Sequence, residues 1–348
     1  MTPNTRSLPP RQPQGSQSPT TQARASLQSP LPAELGLTLP HPAEGWTAGG
    51  ELQGTAAVVV TYNRKELLAR CLDTLLRQTE PLARIFVVDN ASTDGTAEVI
   101  PDHERVTYLR LDRNLGGAYG FAYGVREALK SPYRHVWVMD DDCFAEEDAH
   151  AELMKWTGHS EALCGAVVAQ DGQFDLRHRR NFDHVSLVES PVPAGMYTLP
   201  YAPIDLFTFV GALVHTDAVR RIGLPVDDFF FMSDDSEYAL RLGAHGVRIG
   251  LVPASRIWHH GSLSGKPGRH SYNPQKHYYH TRNGLLIRRR YGTSPLWFAV
   301  RFCSFALRGY AGLAKHRNLN WRSARLTAEA LRDALLNRAY VKEFGKAS

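Results

Sequence analysis

Three adjacent aspartates, Asp140, Asp141 and Asp142, directly follow the apolar run 135–139. In α/β sheets, ligands bind just beyond the carboxyl ends of the strands. Residues two apart in an extended segment face the same way, so Asp140 and Asp142 can share one cation while Asp141 points elsewhere. Mg²⁺ and Mn²⁺ prefer such oxygen ligands. We predict a divalent metal site here. The alternative is an acidic turn at the end of a strand.

Polar residues also end two earlier apolar runs. Thr61, Tyr62, Asn63 and Arg64 end the first, and Asp89 ends the second. Parallel strands end at the same edge of a sheet, so these side chains should lie beside the aspartates. Asp89 could accept hydrogen bonds from a nucleobase or a ribose. The alternative for Asp89 is a turn-forming role, because strong turn residues follow it.

A glycine-rich segment, 113–120, follows the third apolar run and includes Asn114 and Gly117. Small residues let backbone amides approach a ligand closely, and a helix N-terminus favours anions. The segment is not the dinucleotide-binding fingerprint, because its spacing differs and it does not follow the first strand. The alternative is an ordinary glycine-rich turn.

Asp234 and Asp235 precede a helical pattern and are candidates for a general base that takes a proton from an attacking hydroxyl. Either aspartate could instead cap the helix, with Glu237 completing a capping box. We expect one of them to cap and the other to face the acceptor. His259 and His260 are adjacent and cannot point the same way, so one of them could bind a metal through a ring nitrogen. The alternative is a purely structural histidine.

The elements that must position these residues alternate along the chain. Apolar runs 56–61, 84–89, 106–111 and 135–139 read as buried strands, and 65–77 and 118–130 read as helices. This alternation predicts an α/β domain with a mainly parallel sheet. We predict three regions: a disordered tail, 1–53, rich in Pro, Ser, Gln and Thr; an α/β domain, 54–293; and a basic helical extension, 294–348.

The chain of 348 residues carries a net charge of +5, and its positive charge is concentrated near the end. After His280 there are 14 Lys and Arg but three Asp and Glu. This imbalance suggests an anionic partner, a membrane or a nucleic acid, unless it is a solvated helical face. The segment 295–313 mixes aromatic and basic residues, which suits a membrane-surface helix or a core helix.

Four cysteines without metal-site spacing indicate reduced thiols. The sequence lacks a signal-peptide pattern and an apolar run of the roughly 20 residues that would span a bilayer. These features predict a protein of the cytoplasm or of the inner face of the cell membrane. Lys266, Arg269, Arg282 and the run 288–290 could contact a diphosphate or a lipid phosphate, or could form a solvated face. The loop 261–274 has the composition of a mobile lid.

Together these motifs resemble the family 2 glycosyltransferases of the GT-A fold, which is Rossmann-like, over about 55–291. The matching segments are 59–64, 87–96, 113–120, 140–142, 230–238, 257–260 and 278–283. The second half is most similar to the galactofuranosyltransferase and rhamnosyltransferase branch. Each motif is modest alone, but the ordered set is specific.

The resemblance implies an inverting, metal-dependent transfer of a sugar from a UDP- or dTDP-sugar to a hydroxyl acceptor, such as a lipid-linked or cell-envelope glycan. Asp89 would contact the donor base, and Asp140, Asp142 and His259 would bind Mg²⁺ or Mn²⁺. Asp235 would be the general base, with Asp234 in reserve. The residues expected to line the donor site are Thr61, Tyr62, Asn63, Arg64, Asp89, Asn114, Gly117, Asp141 and Arg282.

Three other functions are open to the sequence. A sugar-phosphate nucleotidyltransferase would carry a glycine-rich basic loop after its first strand, which 61–64 lacks. A nucleic-acid-binding protein would be basic throughout its folded part, whereas residues before His280 are net acidic. A non-catalytic sugar-nucleotide-binding relative would not need the aspartates and His259.

Overall fold

A computed structural model describes residues 51–263, 273–315, 318–342 and 344. Residues 1–50 of the predicted tail lie outside the described residues, as do Lys266, Arg269 and most of the predicted lid loop. The described chain folds as a mainly parallel β-sheet covered by helices, as expected for the α/β class.

The described residues form twelve strands and eight α-helices. The strands are β1 (Thr55–Thr61), β2 (Arg84–Asp89), β3 (Val106–Arg110), β4 (His135–Asp140), β5 (Cys143–Ala145), β6 (Ala162–Val168), β7 (Arg179–Asp183), β8 (Val188–Pro191), β9 (Ala202–Ile204), β10 (Leu206–Phe207), β11 (Val210–His215) and β12 (Ile249–His259). The helices are α1 (Lys65–Leu76), α2 (Gly117–Ala128), α3 (Ala149–Met154), α4 (Thr216–Ile222), α5 (Asp234–Ala244), α6 (Pro274–Tyr291), α7 (Pro295–Lys315) and α8 (Trp321–Leu335).

The central sheet has the strand order β3-β2-β1-β4-β11-β6-β12-β5, with β9 also paired to β12. Strands β3, β2, β1 and β4 are parallel, while β11 runs antiparallel between β4 and β6. Strand β1 is fully buried because both faces of the sheet are covered. Its alternate residues therefore enter different cores: Val58 and Val60 on one face, Ala57 and Val59 on the other.

Helices α1 and α2 cover opposite faces of this sheet. Leu68 and Leu72 of α1 join the core of Ala57 and Val59, and Phe121 and Val125 of α2 join the other core. Two glycines of α2 bring it close to β1. A Cβ at Gly120 would lie 2.6 Å from a Val60 methyl, and one at Gly124 would lie 2.4 Å from a Val58 methyl.

Two features lie beyond the parallel half. Strands β10, β7 and β8 form a second, three-stranded sheet. Helix α6 packs its Leu286, Ile287 and Tyr291 into the main core, and α7 and α8 pack on α6. In the described part of the chain, no helix is both long and apolar enough to cross a membrane.

Candidate functional site

The predicted site residues begin at the carboxyl ends of β1, β2 and β4. In the register of the sheet, Thr61 pairs with Asp89, and Val60 pairs with Asp140. The first two strand ends and the aspartate cluster therefore lie side by side at one edge, as the sequence predicts. Parallel sheets place their ligands at this edge.

Asp141 faces β1 and the start of α1. Thr61 Oγ1 donates to Asp141 Oδ2 at 2.7 Å, and the Arg64 guanidinium lies 3.3 Å from Asp141 Oδ1. Burial raises the pKa of Asp141 to about 6, although these two partners oppose the rise. Arg64 also lies 3.1 Å from Asp142, so two buried carboxylates share one exposed guanidinium.

Asp142 contacts Arg64 through Oδ2 and reaches β12 through its other carboxylate oxygen. His259 Nε2 lies 3.1 Å from Asp142 Oδ1. Burial acts to raise the pKa of Asp142, but the hydrogen bond and charge of His259, together with Arg64, lower it overall. The neighbouring His260 points away, with its Nδ1 3.2 Å from the Gln170 amide.

Asp142, Cys143 and His259 have ligand atoms within 4.8 Å of one another. Burial raises the pKa of the Cys143 thiol well above its usual range, so it stays neutral and is a poor ligand for a hard cation. The backbone of Gly261 lies close against this pair, because a Cβ there would lie 3.0 Å from His259 and 3.3 Å from Asp142. The carboxylate of Asp142 and the imidazole of His259 are ligand types that fit a divalent cation such as Mn²⁺ or Mg²⁺.

Asp140 lies beside two groups of carboxylates. Loss of hydration raises its pKa well above the usual range, and the charges of Asp142, Asp141, Asp234 and Asp235 add to the rise. Asp140 is not in the group of three ligand atoms within 4.8 Å. The charges of Asp234 and Asp235 nevertheless act on Asp140, so the head of α5 lies near the strand-end aspartates. The mutual repulsion would be relieved by a bound cation.

The head of α5 departs from the capping prediction. The helix begins at Asp234, the residue before it is Ser233, and no side chain caps it. Glu237 instead contacts Arg241 at 3.1 Å and Tyr291 Oη at 2.8 Å inside the core. The capping-box prediction is wrong because Ser233 precedes the helix and Glu237 is the buried partner of a buried arginine.

The two aspartates differ in their surroundings. Burial, followed by the charge of Asp235, raises the pKa of Asp234 to about 8. Loss of hydration also raises the pKa of Asp235, but the Arg180 guanidinium opposes this rise. Asp235 Oδ1 accepts from the backbone and hydroxyl of Ser236, and Arg180 Nη2 donates to Ser236 Oγ at 2.7 Å. Arg180, on β7, was missed by the sequence analysis because no local motif marks it.

The segment before α5 is held in a strained conformation. Phe230, Met232 and Ser233 have φ of 65°, 70° and 67°, which side chains rarely adopt. The buried Asn283 Nδ2 donates to the carbonyls of Phe229, Phe231 and Met232 and so holds this turn. Asn283 lies in a motif that the resemblance quoted, yet its role could not be read without the fold. Strain of this kind is often stored beside functional sites.

The donor-side residues of the first two strands are firmly placed. Asp89 is buried and accepts from the backbone of Ser92 at 2.8 Å and from Tyr108 Oη. Burial and the contact with Asp89 raise the pKa of Tyr108. Asn63 has φ of 55° and accepts from the Thr93 amide at 2.7 Å, which joins the ends of β1 and β2.

The remaining predicted donor residues flank this edge. Tyr62 is 45% exposed, so its ring is available to a ligand. Asn114 Oδ1 accepts from the Gly116 amide at 2.8 Å and shapes the turn into α2. Gly117 opens α2, and a Cβ there would meet nothing within 4 Å, so a ligand could approach its amide.

The structure contradicts the prediction that Arg282 lines the donor site. Its side chain is fully buried, and its guanidinium donates to Tyr340 O at 2.5 Å, Asp228 O at 3.2 Å and Asn283 Oδ1 at 2.8 Å. Its full burial among these carbonyl and amide partners and the surrounding aromatic rings keeps the guanidinium away from any diphosphate at the surface. Arg282 is therefore a structural residue of α6 and does not line the donor site.

The fold is shared with solved structures. Two solved structures follow the same chain path: GalNAc-T7 with UDP, GalNAc and Mn²⁺, with a TM-score of 0.53, 15% identity and coverage of 82% of this chain and 56% of that chain; and S. aureus TarS 1-349 in complex with UDP, with a TM-score of 0.55, 13% identity and coverage of 82% and 81%. The chain has the GT-A fold of nucleotide-sugar glycosyltransferases.

The family follows from sequence. The model of Glycosyl transferase family 2 matches residues 56–220. Galactofuranosyltransferase GlfT1 of Mycolicibacterium smegmatis is 30% identical over 214 residues, which cover 58% of this chain and 70% of that protein. The dTDP-rhamnosyl transferase RfbF of Shigella flexneri is 23% identical over 258 residues, covering 72% and 85%. The chain is a glycosyltransferase and belongs to family 2.

Proposed function

We propose that this enzyme performs an inverting, metal-dependent transfer of a sugar from a nucleotide diphosphate to a glycan hydroxyl. The observation that carries the proposal is the meeting of the strand-end aspartates 140–142 with Asp234 and Asp235 at the carboxyl edge of the sheet. One group suits a metal and a diphosphate, and the other suits proton removal. Membership of family 2 supports the same chemistry.

On the donor side, Asp89 would accept hydrogen bonds from the base or ribose, because its position is fixed by Ser92 and Tyr108. Tyr62, Asn63 and Asn114 line the same edge. The Gly117 amide at the start of α2 would face the diphosphate, where the helix dipole favours anions.

Asp142 and His259 would hold Mn²⁺ or Mg²⁺, with Asp140 beside them. The ion, when bound, would stabilise the negative charge that develops on the departing diphosphate. Arg64 now bridges Asp141 and Asp142, and it would keep Asp141 from adding uncompensated charge to the site. Thr61 fixes the orientation of Asp141 by its hydrogen bond.

Asp235 would remove the proton from the acceptor hydroxyl. Arg180 favours the ionised form of Asp235, while Asp234 remains protonated near neutral pH because its pKa is raised to about 8. One base on the face opposite the leaving group allows a single displacement, which inverts the anomeric centre. Asp234 would then be a neutral neighbour rather than a second base.

The relatives suggest the substrates. UDP-galactofuranose and dTDP-rhamnose are the donors that we propose to test first, and a lipid-linked or cell-envelope glycan would be the acceptor. The proposed catalytic residues all lie in the domain 54–293, which would work in the cytoplasm or at the inner face of the membrane. The extension 294–348 would pack on this domain and contact the lipid through α7. A nucleic acid has no part in this proposal.

The test is the thermal stability of the full chain with nucleotide diphosphates, each with and without Mn²⁺. A ligand that binds only the folded state raises the melting temperature by mass action. We expect UDP or dTDP to stabilise the protein only with metal, and Asp142→Ala to remove the effect.

Asp73→Asn, which alters an exposed aspartate of α1, is the matched control and should respond like the parent protein. If no nucleotide shifts the parent protein with any divalent metal, the proposed donor site is wrong. If nucleotides bind but neither donor is consumed with any envelope acceptor, the non-catalytic alternative is favoured.

A further inference from the structure

The outer face of α7 carries an apolar stripe. Leu296, Val300, Cys303 and Leu307 are spaced so that they fall on one side of the helix. All four are exposed, and Leu296 and Leu307 are 73% and 72% exposed. We call these four residues the α7 stripe. No described part of the chain covers the stripe.

The opposite face of α7 is already used. Phe298, Phe302 and Phe305 pack against buried Leu285 of α6 and Leu331 of α8. The helix is therefore anchored by its aromatic face, and the stripe is not needed to pack α7 on the rest of the chain. Large exposed apolar patches of this kind mark interaction sites.

The charges beside the stripe indicate what kind of surface it binds. Helix α7 contains no acidic residue, and Arg301, Arg308 and Lys315 recur at seven-residue intervals along one flank of the stripe. Trp297 lies on the same flank, 39% exposed, with the Arg301 guanidinium 5.7 Å from its ring. Apolar residues beside cations and an interfacial tryptophan suit a helix lying on an anionic lipid surface.

A second copy of the chain is a poorer occupant. Helix α7 carries three cations and no acidic residue, so two such faces would repel each other. An anionic bilayer supplies both the apolar layer for the stripe and the charge for its flank.

Contacts link α7 to the proposed acceptor base. Arg301 Nε donates to Ser186 O at 2.8 Å, in the turn between β7 and β8. Glu189 of β8 then pairs with Arg180, and Arg180 donates to the hydroxyl beside Asp235. Helix α7 is thus joined to the Asp235 side of the site through a single hairpin.

We propose that the α7 stripe docks this enzyme on an anionic lipid bilayer. The inference deepens the proposed function, because it names the surface from which a lipid-linked acceptor would be reached. Vesicle binding and nucleotide binding are separate readouts, so either proposal can fail without the other.

The first experiment uses Cys303, the exposed one of the four cysteines. An environment-sensitive fluorophore on Cys303 of the full chain should shift to the blue with vesicles of phosphatidylglycerol and phosphatidylcholine. With phosphatidylcholine alone, or in high salt, the shift should be much smaller because the flanking cations contribute. No shift with anionic vesicles would overturn the proposal.

The second experiment is co-sedimentation of unlabelled protein with the same vesicles. Leu296→Glu with Leu307→Glu should weaken binding by about tenfold or more, since two apolar contacts are lost. Leu199→Glu, at an exposed leucine outside the C-terminal helices, should bind like the parent protein. All three proteins should melt alike, because the altered side chains are exposed.

Equal vesicle binding by the stripe variant and the parent protein would contradict the proposal. So would a dimer that binds no vesicles and separates when the stripe is altered, because the occupant would then be a second copy. Retained metal-dependent nucleotide binding in the stripe variant would show that a loss of vesicle binding does not come from the donor site.

Discussion

Asp234 and Asp235 are adjacent and chemically identical, yet the fold gives them different tasks. Asp235 has the Ser236 amide and the charge of Arg180, whereas Asp234 lies near Asp235 and Glu237 without a cation among its main influences. When two neighbouring carboxylates have different surroundings, their pKa values separate, and one of them keeps a proton that the other has lost. Arg180 is thus what distinguishes the two aspartates, although it lies 55 positions before Asp235 in the sequence.

The protonated state of Asp234 predicts a pH-dependent gain in stability for Asp234→Asn. The folded pKa of Asp234 is raised to about 8, whereas an unfolded aspartate titrates near about 3.9. The stability contributed by the protonated carboxyl is therefore fully present below about pH 4 and is lost as the pH rises towards about 8. Asparagine cannot ionise, so the variant should melt above the parent protein at about pH 8, with a smaller difference at about pH 5.

The measurement is a melting curve at each pH in EDTA, so that no metal contributes. Asp73→Asn on the surface of α1 should show no comparable dependence on pH. A constant difference between Asp234→Asn and the parent protein across this range would mean that Asp234 is ionised in the folded state, and its role as neutral neighbour would be wrong.

At the scale of elements, the turn into α2 and the turn into α5 fit against each other. Gly116 has φ of 90°, and a Cβ there would lie 2.1 Å from Phe230 O. Ala118 N also donates to Phe230 O at 3.1 Å. The glycine-rich turn therefore holds the strained segment before Asp234 against the donor edge, which couples the two halves of the site.

Substitution by alanine should destabilise the protein at Gly116 but not at Gly117. Gly116→Ala combines a backbone clash with a left-handed φ, so it should cost about 3 kcal/mol or more of folding free energy. Gly117→Ala meets no atom within 4 Å and should unfold like the parent protein in urea. If the Gly117 amide approaches the diphosphate, Gly117→Ala should still weaken nucleotide binding. Equal stability of the two variants would contradict the packing described here.

The sequence predicted the parallel half of the sheet well because each buried strand is a continuous apolar run. The expected runs 84–89 and 135–139 match β2 and β4 within one residue. The three-stranded sheet was not predicted, since β7 and β8 are short and polar. Asp142 and His259 were placed together by the resemblance, and their contact is 3.1 Å.

Arg282 shows why the role of a residue could not always be predicted from the sequence around it. A buried arginine and an exposed one have the same sequence signature, and only the fold supplies the carbonyls that bind this one. The same reason hid Asn283, whose three acceptors lie more than fifty residues earlier. Long-range polar partners of this kind leave no periodic signal.

At the scale of the whole molecule, the C-terminal helices are part of the folded body. Tyr278 and Tyr279 of α6 are fully buried beneath Ala330 of α8 and the chain that follows it. Tyr278 Oη donates to buried Asp333 at 2.7 Å, and Tyr340 Oη donates to the same carboxylate at 2.8 Å. A boundary at 293 would expose this interface, so we propose that 54–293 does not fold stably without α8.

Asp333 offers a direct test of that proposal. Asp333→Ala would leave the buried Tyr278 hydroxyl without its acceptor, at a cost of about 1–3 kcal/mol in the free energy of unfolding by urea. Tyr278→Phe removes the hydroxyl together with its need for a partner and should cost less. A single cooperative transition for the whole chain, lowered in Asp333→Ala, is expected if α6 and α8 unfold with the sheet. If Asp333→Ala loosens α8 while metal-dependent nucleotide binding and the main transition stay unchanged, the extension is a separate folding unit. Its contribution to the enzyme would then be membrane docking by the α7 stripe.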